Sequence, residues 1–248
     1  MASPINDHDV GRRALLTTAG LVIPAMLATA ACSREAGDHD RGGEHKEGGE
    51  EEVTANEDLM REHGVLRRVL IVYREAGPLI ASGARIDVGA LNQAAALFRA
   101  FGEQYHEKML EEAYVFPAVQ KAGGAAAQLP AVLLAQHERG RQITDYIIDQ
   151  TKAGTIATGQ AAAMAKAMTG FARMYEAHSA REDTVVFPAF KKALGEDRFK
   201  ELGEQFEEIE HKQFGADGFD TALSRVGAIE QALGLSDLAR FTASLPGG

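Results

Sequence analysis

Four histidines and two glutamates recur at repeated intervals in this chain, and their types suit a metal site better than any other chemistry. His63, followed four residues on by Arg67, reappears 74 residues later as His137, followed by Arg141. His106 reappears 72 residues later as His178. The run Glu111-Glu112-Ala113-Tyr114-Val115-Phe116-Pro117 reappears 71 residues later as Glu182-Asp183-Thr184-Val185-Val186-Phe187-Pro188. The duplication supplies two histidines and one glutamate from each half of the repeat.

Any one of these histidines on an apolar helical stripe is more often a hydrogen-bonded core residue than a ligand. Taken together they are a different case. Six ligand-type side chains in an apolar core are costly unless a counter-charge joins them. Two metal ions remove the cost, because imidazoles bring neutral donors and the two glutamates can bridge the ions and offset their charge. Mixed imidazole and carboxylate ligation without thiolates points to iron, with manganese and zinc behind it. The expected metal set is His63, His106, Glu111, His137, His178 and Glu182. A purely structural polar core is the competing reading.

These residues need four helices to hold them. Apolar stripes at helical spacing predict a first helix over about 57–75 carrying Leu59, Leu66, Leu70 and Tyr73, with His63 on the stripe. A second, over about 88–116, carries Leu91, Ala95, Phe98 and Met109 beside His106 and ends at Gly123-Gly124. A third covers about 130–152, with His137 beside Leu133, Leu134, Thr144 and Ile148, and a fourth about 159–187, with Phe171, Met174 and Val185 in register with His178 and Glu182. Shorter helices over about 197–214 and 221–233 are expected to pack outside. The fold class is therefore all-α, an up-down-up-down four-helix bundle with additional C-terminal helices.

Helix geometry sets a further expectation. His178 and Glu182 are four residues apart and share a face, whereas His106 and Glu111 are five apart, about 140° off in a regular α-helix. A π-bulge between them would re-aim the carboxylate. A regular helix there would leave Glu107 as the alternative ligand. Arg67 and Arg141 are placed either to hydrogen-bond the ligating carboxylates or to face solvent. Tyr105 and Tyr175 could donate hydrogen bonds near the site or sit at the bundle edge with their hydroxyls in water. Glu207 and His211 are also four apart, a spacing that more often stabilises a helix surface than binds metal.

The first half-hundred residues carry a different signal. Arg12-Arg13 precedes an apolar stretch from Ala14 to Ala31, interrupted by Gly20 and Pro24, which looks like a twin-arginine export signal over 1–32. Ala30-Ala31-Cys32-Ser33 resembles a bacterial lipobox, with Thr29 where Leu is usual. Lipidation of Cys32 and ordinary cleavage after Ala28-Thr29-Ala30 both stay open. A single cysteine allows no disulfide within the chain. Residues 33–56, rich in Gly, Glu, Asp and His and poor in apolar residues, are expected to be a disordered tether whose His39 and His45 are simply solvated. The organisation expected is thus signal 1–32, tether 33–56, metal-binding bundle 57–190 and C-terminal helical extension 191–248. Export implies the periplasmic side of the envelope, with Cys32 as a lipid anchor if it is modified. A formal charge of −10 argues against nucleic acid as a partner.

His63, the His106–Glu111 run ending in Val-Phe-Pro, His137, and His178 with Glu182 ending in Val-Phe-Pro resemble the motifs of the hemerythrin HHE cation-binding family. That resemblance implies an oxo- or hydroxo-bridged di-iron centre that interacts with dioxygen, nitric oxide or peroxide. Oxygen carriers of this kind have a fifth histidine where Arg141 stands, so reversible oxygen carriage is less well supported than redox, peroxide or nitric-oxide chemistry. Iron storage or delivery, and a metal-free tethered structural module, are the alternatives. Neither the redox partner nor any catalytic residue is readable.

Overall fold

The computed structural model describes residues 53–215 and 217–246; the export signal, lipobox and nearly all of the tether expected from the sequence lie outside them. The described residues contain helices and no strand. They form four rods followed by a C-terminal pair, an all-α architecture as the sequence predicts.

The first rod is α1 (Ala55–Ala81), started by a capping box in which Thr54 and Glu57 satisfy each other's backbone N–H groups. The second rod begins as α2 (Val88–Leu97), capped by Asp87 accepting from the Ala90 N–H. It continues through a π-helical stretch (Phe98–Val115) and ends as α3 (Phe116–Ala122). Gly123 and Gly124, with φ of 77° and 76°, adopt the left-handed backbone that releases the chain from it. α4 (Leu129–Thr151) is the third rod. The fourth is α5 (Ala161–Arg181), a π-helical turn (Glu182–Val186) and α6 (Phe187–Leu194). Each rod packs on its sequence neighbours, and α1 closes the ring against α5. Tyr73, Phe98, Phe101, Phe171 and Phe187 fill the core between them.

The expected bulge is present but longer, and a second π turn occurs where regular helix was expected. In both rods the N–H of a phenylalanine donates to the carbonyl five residues back, Phe116 to Glu111 and Phe187 to Glu182. A proline follows each phenylalanine, and it lacks the N–H and crowds the carbonyl four residues back that an α-helix would need. The wider turns move the apolar face along by one residue. Met109 and Val185, expected in the core, are 36% and 39% exposed, while Leu110 and Val186 are buried in their place.

The C-terminal pair, α7 (Glu196–Phe214) and α8 (Gly218–Ala232), lies against the outside of α1. Arg68 grips Glu230 through two hydrogen bonds, and the Phe214 ring meets Tyr105 and Phe101 at centroid distances of 5.2 and 6.0 Å. Glu210 accepts from the Phe219 N–H at the start of α8. No described helix is long and apolar enough to cross a membrane.

This cover has an electrostatic cost at Asp58. Burial, aided by the nearby charges of Glu62 and Glu210, pushes its carboxyl up to about 7 from an ordinary 3.8. A carboxyl whose pKa is raised by folding holds a proton that the unfolded chain has released, so its contribution to stability is present below the unfolded pKa and lost as pH rises through the folded one. Asp58→Asn is therefore expected to raise stability by about 1 kcal/mol near pH 8 and to change it little near pH 4. Thermal melts at the two pH values test this, and an equal effect at both would contradict it.

Candidate metal centre

The two π segments sit where the two glutamates leave their helices, and both carboxylates turn into the middle of the bundle. Glu111 and Glu182 are completely buried, as is His137, and His63, His106 and His178 are at most 3% exposed. All six residues expected from the sequence meet there, in two overlapping groups able to hold a metal ion: His63, His106 and Glu111 in one, and Glu111, His137, His178 and Glu182 in the other.

Each carboxylate spans the two halves. Glu111 lies 3.4 Å from His106 Nε2 through Oε1 and 3.4 Å from His137 Nε2 through Oε2. Glu182 lies 3.0 Å from His178 Nε2 through Oε1 and 3.5 Å from His63 Nε2 through Oε2. His137 Nε2 and His178 Nε2 are 3.1 Å apart. Every ring thus presents Nε2 inward, and the two glutamates tie each imidazole pair to the other.

The opposite ring nitrogens fix the orientation. His63 Nδ1 is 2.6 Å from Asp183, His106 Nδ1 2.6 Å from Glu62, His137 Nδ1 3.1 Å from Glu112 and His178 Nδ1 2.9 Å from Gln136. An acceptor at Nδ1 holds the proton there and leaves the Nε2 lone pair for a metal. None of these four partners was identified from the sequence. The repeat itself could have found them: Glu62 and Gln136 each precede the first histidine of their half, and Glu112 and Asp183 each follow its glutamate.

Neither Arg67 nor Arg141 hydrogen-bonds the ligating carboxylates, although the Arg67 side chain is 40% exposed to solvent. They pair with Asp183 and Glu112, the carboxylates that hold the histidines, not with Glu111 or Glu182. Glu107 is not at the centre. It accepts from Tyr175 Oη at 2.6 Å and from Arg141 at 3.1 Å, and stays 3.9 Å from His137 Nδ1. Both tyrosines are buried instead of meeting water at the bundle edge, and Tyr105 has its hydroxyl enclosed in the interior beside Glu62. Glu207 and His211 belong to none of the metal-capable groups found among the described residues.

The imidazoles and carboxylates shift one another's pKa in opposite directions. Burial alone would depress the imidazoles, but Glu111 and Glu62 outweigh it at His106 and raise it well above its ordinary value, and Glu111 and Glu112 raise His137 to about 10. Glu182 is held well below the ordinary carboxylate range, because His178 and His63 overcome the opposing effect of burial.

A narrow space of about 10 Å³ borders the centre between Leu66, Leu70, Phe98 and Tyr175, roughly enough for one water-sized molecule. Tyr175 reaches this wall because position 140 is glycine, where a Cβ would lie 2.1 Å from the Tyr175 hydroxyl. Gly140→Ala is expected to destabilise the bundle by about 1–3 kcal/mol through overpacking and to break the Tyr175–Glu107 bond. Denaturant unfolding together with the ultraviolet tyrosine spectrum reads both effects, and an unchanged midpoint would show that the ring has room to move.

Residues 54–190 match the family model described as the hemerythrin HHE cation binding domain. An uncharacterized protein from Mycobacterium bovis and one from Mycobacterium tuberculosis are each 40% identical to this chain over 237 residues, covering 95% of this chain and 92% of the relative. No solved structure matches. The family match covers the four rods, and the mycobacterial similarity extends well beyond them. The chain belongs to the hemerythrin HHE cation-binding family.

Proposed function

We propose that this chain is a non-haem di-iron protein that binds or reacts with dioxygen, nitric oxide or peroxide. The observation that carries this reading is a set of orphaned atoms: His106 Nε2 and both carboxylate oxygens of Glu111 and of Glu182 are buried without a hydrogen-bond partner. Buried polar groups left unpaired are costly, and carboxylates more so. Two cations satisfy all of them at once, whereas a metal-free structural module has only the facing imidazoles, 3.0–3.5 Å away, to meet them. The donor set of imidazole and carboxylate without thiolate favours iron.

His63 and His106 would hold one ion and His137 and His178 the other, with Glu111 and Glu182 shared between them. When bound, the iron pair supplies Lewis acidity and reversible electron transfer. The protein's own residues do the rest. Leu66, Leu70 and Phe98 keep the adjoining space apolar and limit the guest to a very small molecule. The Nδ1 partners keep the rings from turning. Arg141, committed to Glu112 and Glu107, adds no nitrogen ligand in place of a fifth histidine, which favours reaction over simple carriage.

The location is part of the proposal. Arg12-Arg13 and the apolar stretch to Ala31 support twin-arginine export, a route that carries folded proteins and so permits iron to be installed beforehand. Lipidation at Cys32 would then hold the domain at the periplasmic membrane surface.

Elemental analysis of the purified chain after dialysis is expected to find about two iron ions per chain, falling to one or none in His178→Ala and Glu111→Ala. Full iron retention in both variants, or no metal in the parent, would refute the reading. Because ligation needs neutral imidazole nitrogens and the neighbouring carboxylates raise His106 and His137 above their ordinary values, metal competes with protons there and affinity is expected to fall as pH drops from about 8 to about 6. A pH-independent affinity would show that these nitrogens are not the ligands.

A further inference from the structure

The two halves of the centre differ in how their ligand residues converge, three around His63 and His106 and four around His137 and His178, and in the group that holds one histidine of each pair. Asp183 on His63 and Glu112 on His137 are equivalent, each a carboxylate paired with an arginine. His106 and His178 are not held alike: a carboxylate, Glu62, stands at one Nδ1 and a neutral amide, Gln136, at the other. Glu62 and Gln136 occupy the same place in the repeat, so the comparison is direct.

Glu62 directs its charge at His106. It is completely buried, among the described residues its ion-pair partner is His106, and the other group beside it is the neutral hydroxyl of Tyr105. Its neighbours on the α7 side, Asp58 and Glu210, are acidic and cannot offset it. The other half has an extra carboxylate of its own, Glu107, but that group is taken up by Arg141 and Tyr175 and lies beyond hydrogen-bonding distance of His137. A carboxylate on Nδ1 makes an imidazole a stronger donor than an amide does, and outer partners of this kind change metal affinity by roughly 10–100-fold.

We propose that the Glu62–Gln136 difference makes the two metal positions unequal, so that the His63/His106 position fills first and holds its ion more tightly, while the His137/His178 position is the exchangeable one. The inference rests on the di-metal reading above.

Anaerobic titration of the metal-free full chain with Co(II) tests it. Two binding steps are expected, separated by about tenfold or more. At one equivalent, paramagnetically shifted ring-proton resonances should come from His63 and His106. Glu62→Gln keeps the acceptor and removes only the charge; it should weaken the tighter step by about 10–100-fold and leave the weaker one in place. Gln136→Glu should strengthen the weaker step and narrow the gap, which gives an independent reading if the Glu62 variant folds poorly. Two equal steps in the parent chain, first occupancy at His137 and His178, or a Glu62→Gln effect confined to the weaker step would overturn the inference while leaving the di-metal reading intact. Binding of fewer than two ions would overturn both.

Discussion

Two carboxylates and four imidazoles buried in one apolar core are the constraint on which this structure depends. Such a group is tolerable only when every charge is met, because an unpaired buried carboxylate costs far more than the packing around it can return. Glu111 and Glu182 each face one imidazole from either half, so neither hairpin can complete its own ligand set. The polar centre therefore ties the four rods together alongside the aromatic packing. It also explains why the helices depart from regular α geometry at the glutamates. The π turns, set by Phe-Pro pairs, put the carboxylates where both partners can be reached.

Around the centre runs a ring of groups whose task is orientation. The acceptor at each Nδ1 decides which nitrogen points inward, and the arginines keep Asp183 and Glu112 from drifting to solvent. This ring is supplied crosswise. The residue following each glutamate holds a histidine of the other hairpin, Glu112 on His137 and Asp183 on His63. Within each hairpin, the residue before the first histidine holds the second, Glu62 on His106 and Gln136 on His178. A duplicated sequence thus yields an interlocked site, and small departures from the duplication become chemical differences between its halves.

The C-terminal helices extend this arrangement outward. By covering α1, α7 encloses Glu62, leaves Asp58 only partly exposed and places Phe214 against Tyr105, so the His106 side of the site lies behind an additional layer. The mycobacterial relatives align over nearly the whole chain, beyond the cation-binding domain itself.

Much of this was legible in the sequence, since it depended on local periodicity. The four apolar stripes marked the rods, the paired glycines at 123 and 124 marked a break, and the repeat interval singled out the six side chains that converge. The five-residue spacing of His106 and Glu111 announced a π segment, because α geometry leaves them on different faces. What could not be read was anything set across the bundle. Met109 and Val185 fell on the wrong side because the length of the π segments depends on how the rods pack, not on the spacing of one pair. Arg67, Arg141, Glu107 and Tyr175 found partners on other rods, and Glu62 became critical only once α7 closed over it. The sequence by itself determined which helices form and which side chains share a face, because both follow from residue spacing along one helix. The tertiary structure alone decided which charge meets which, because that is settled by distances between helices that no local pattern records.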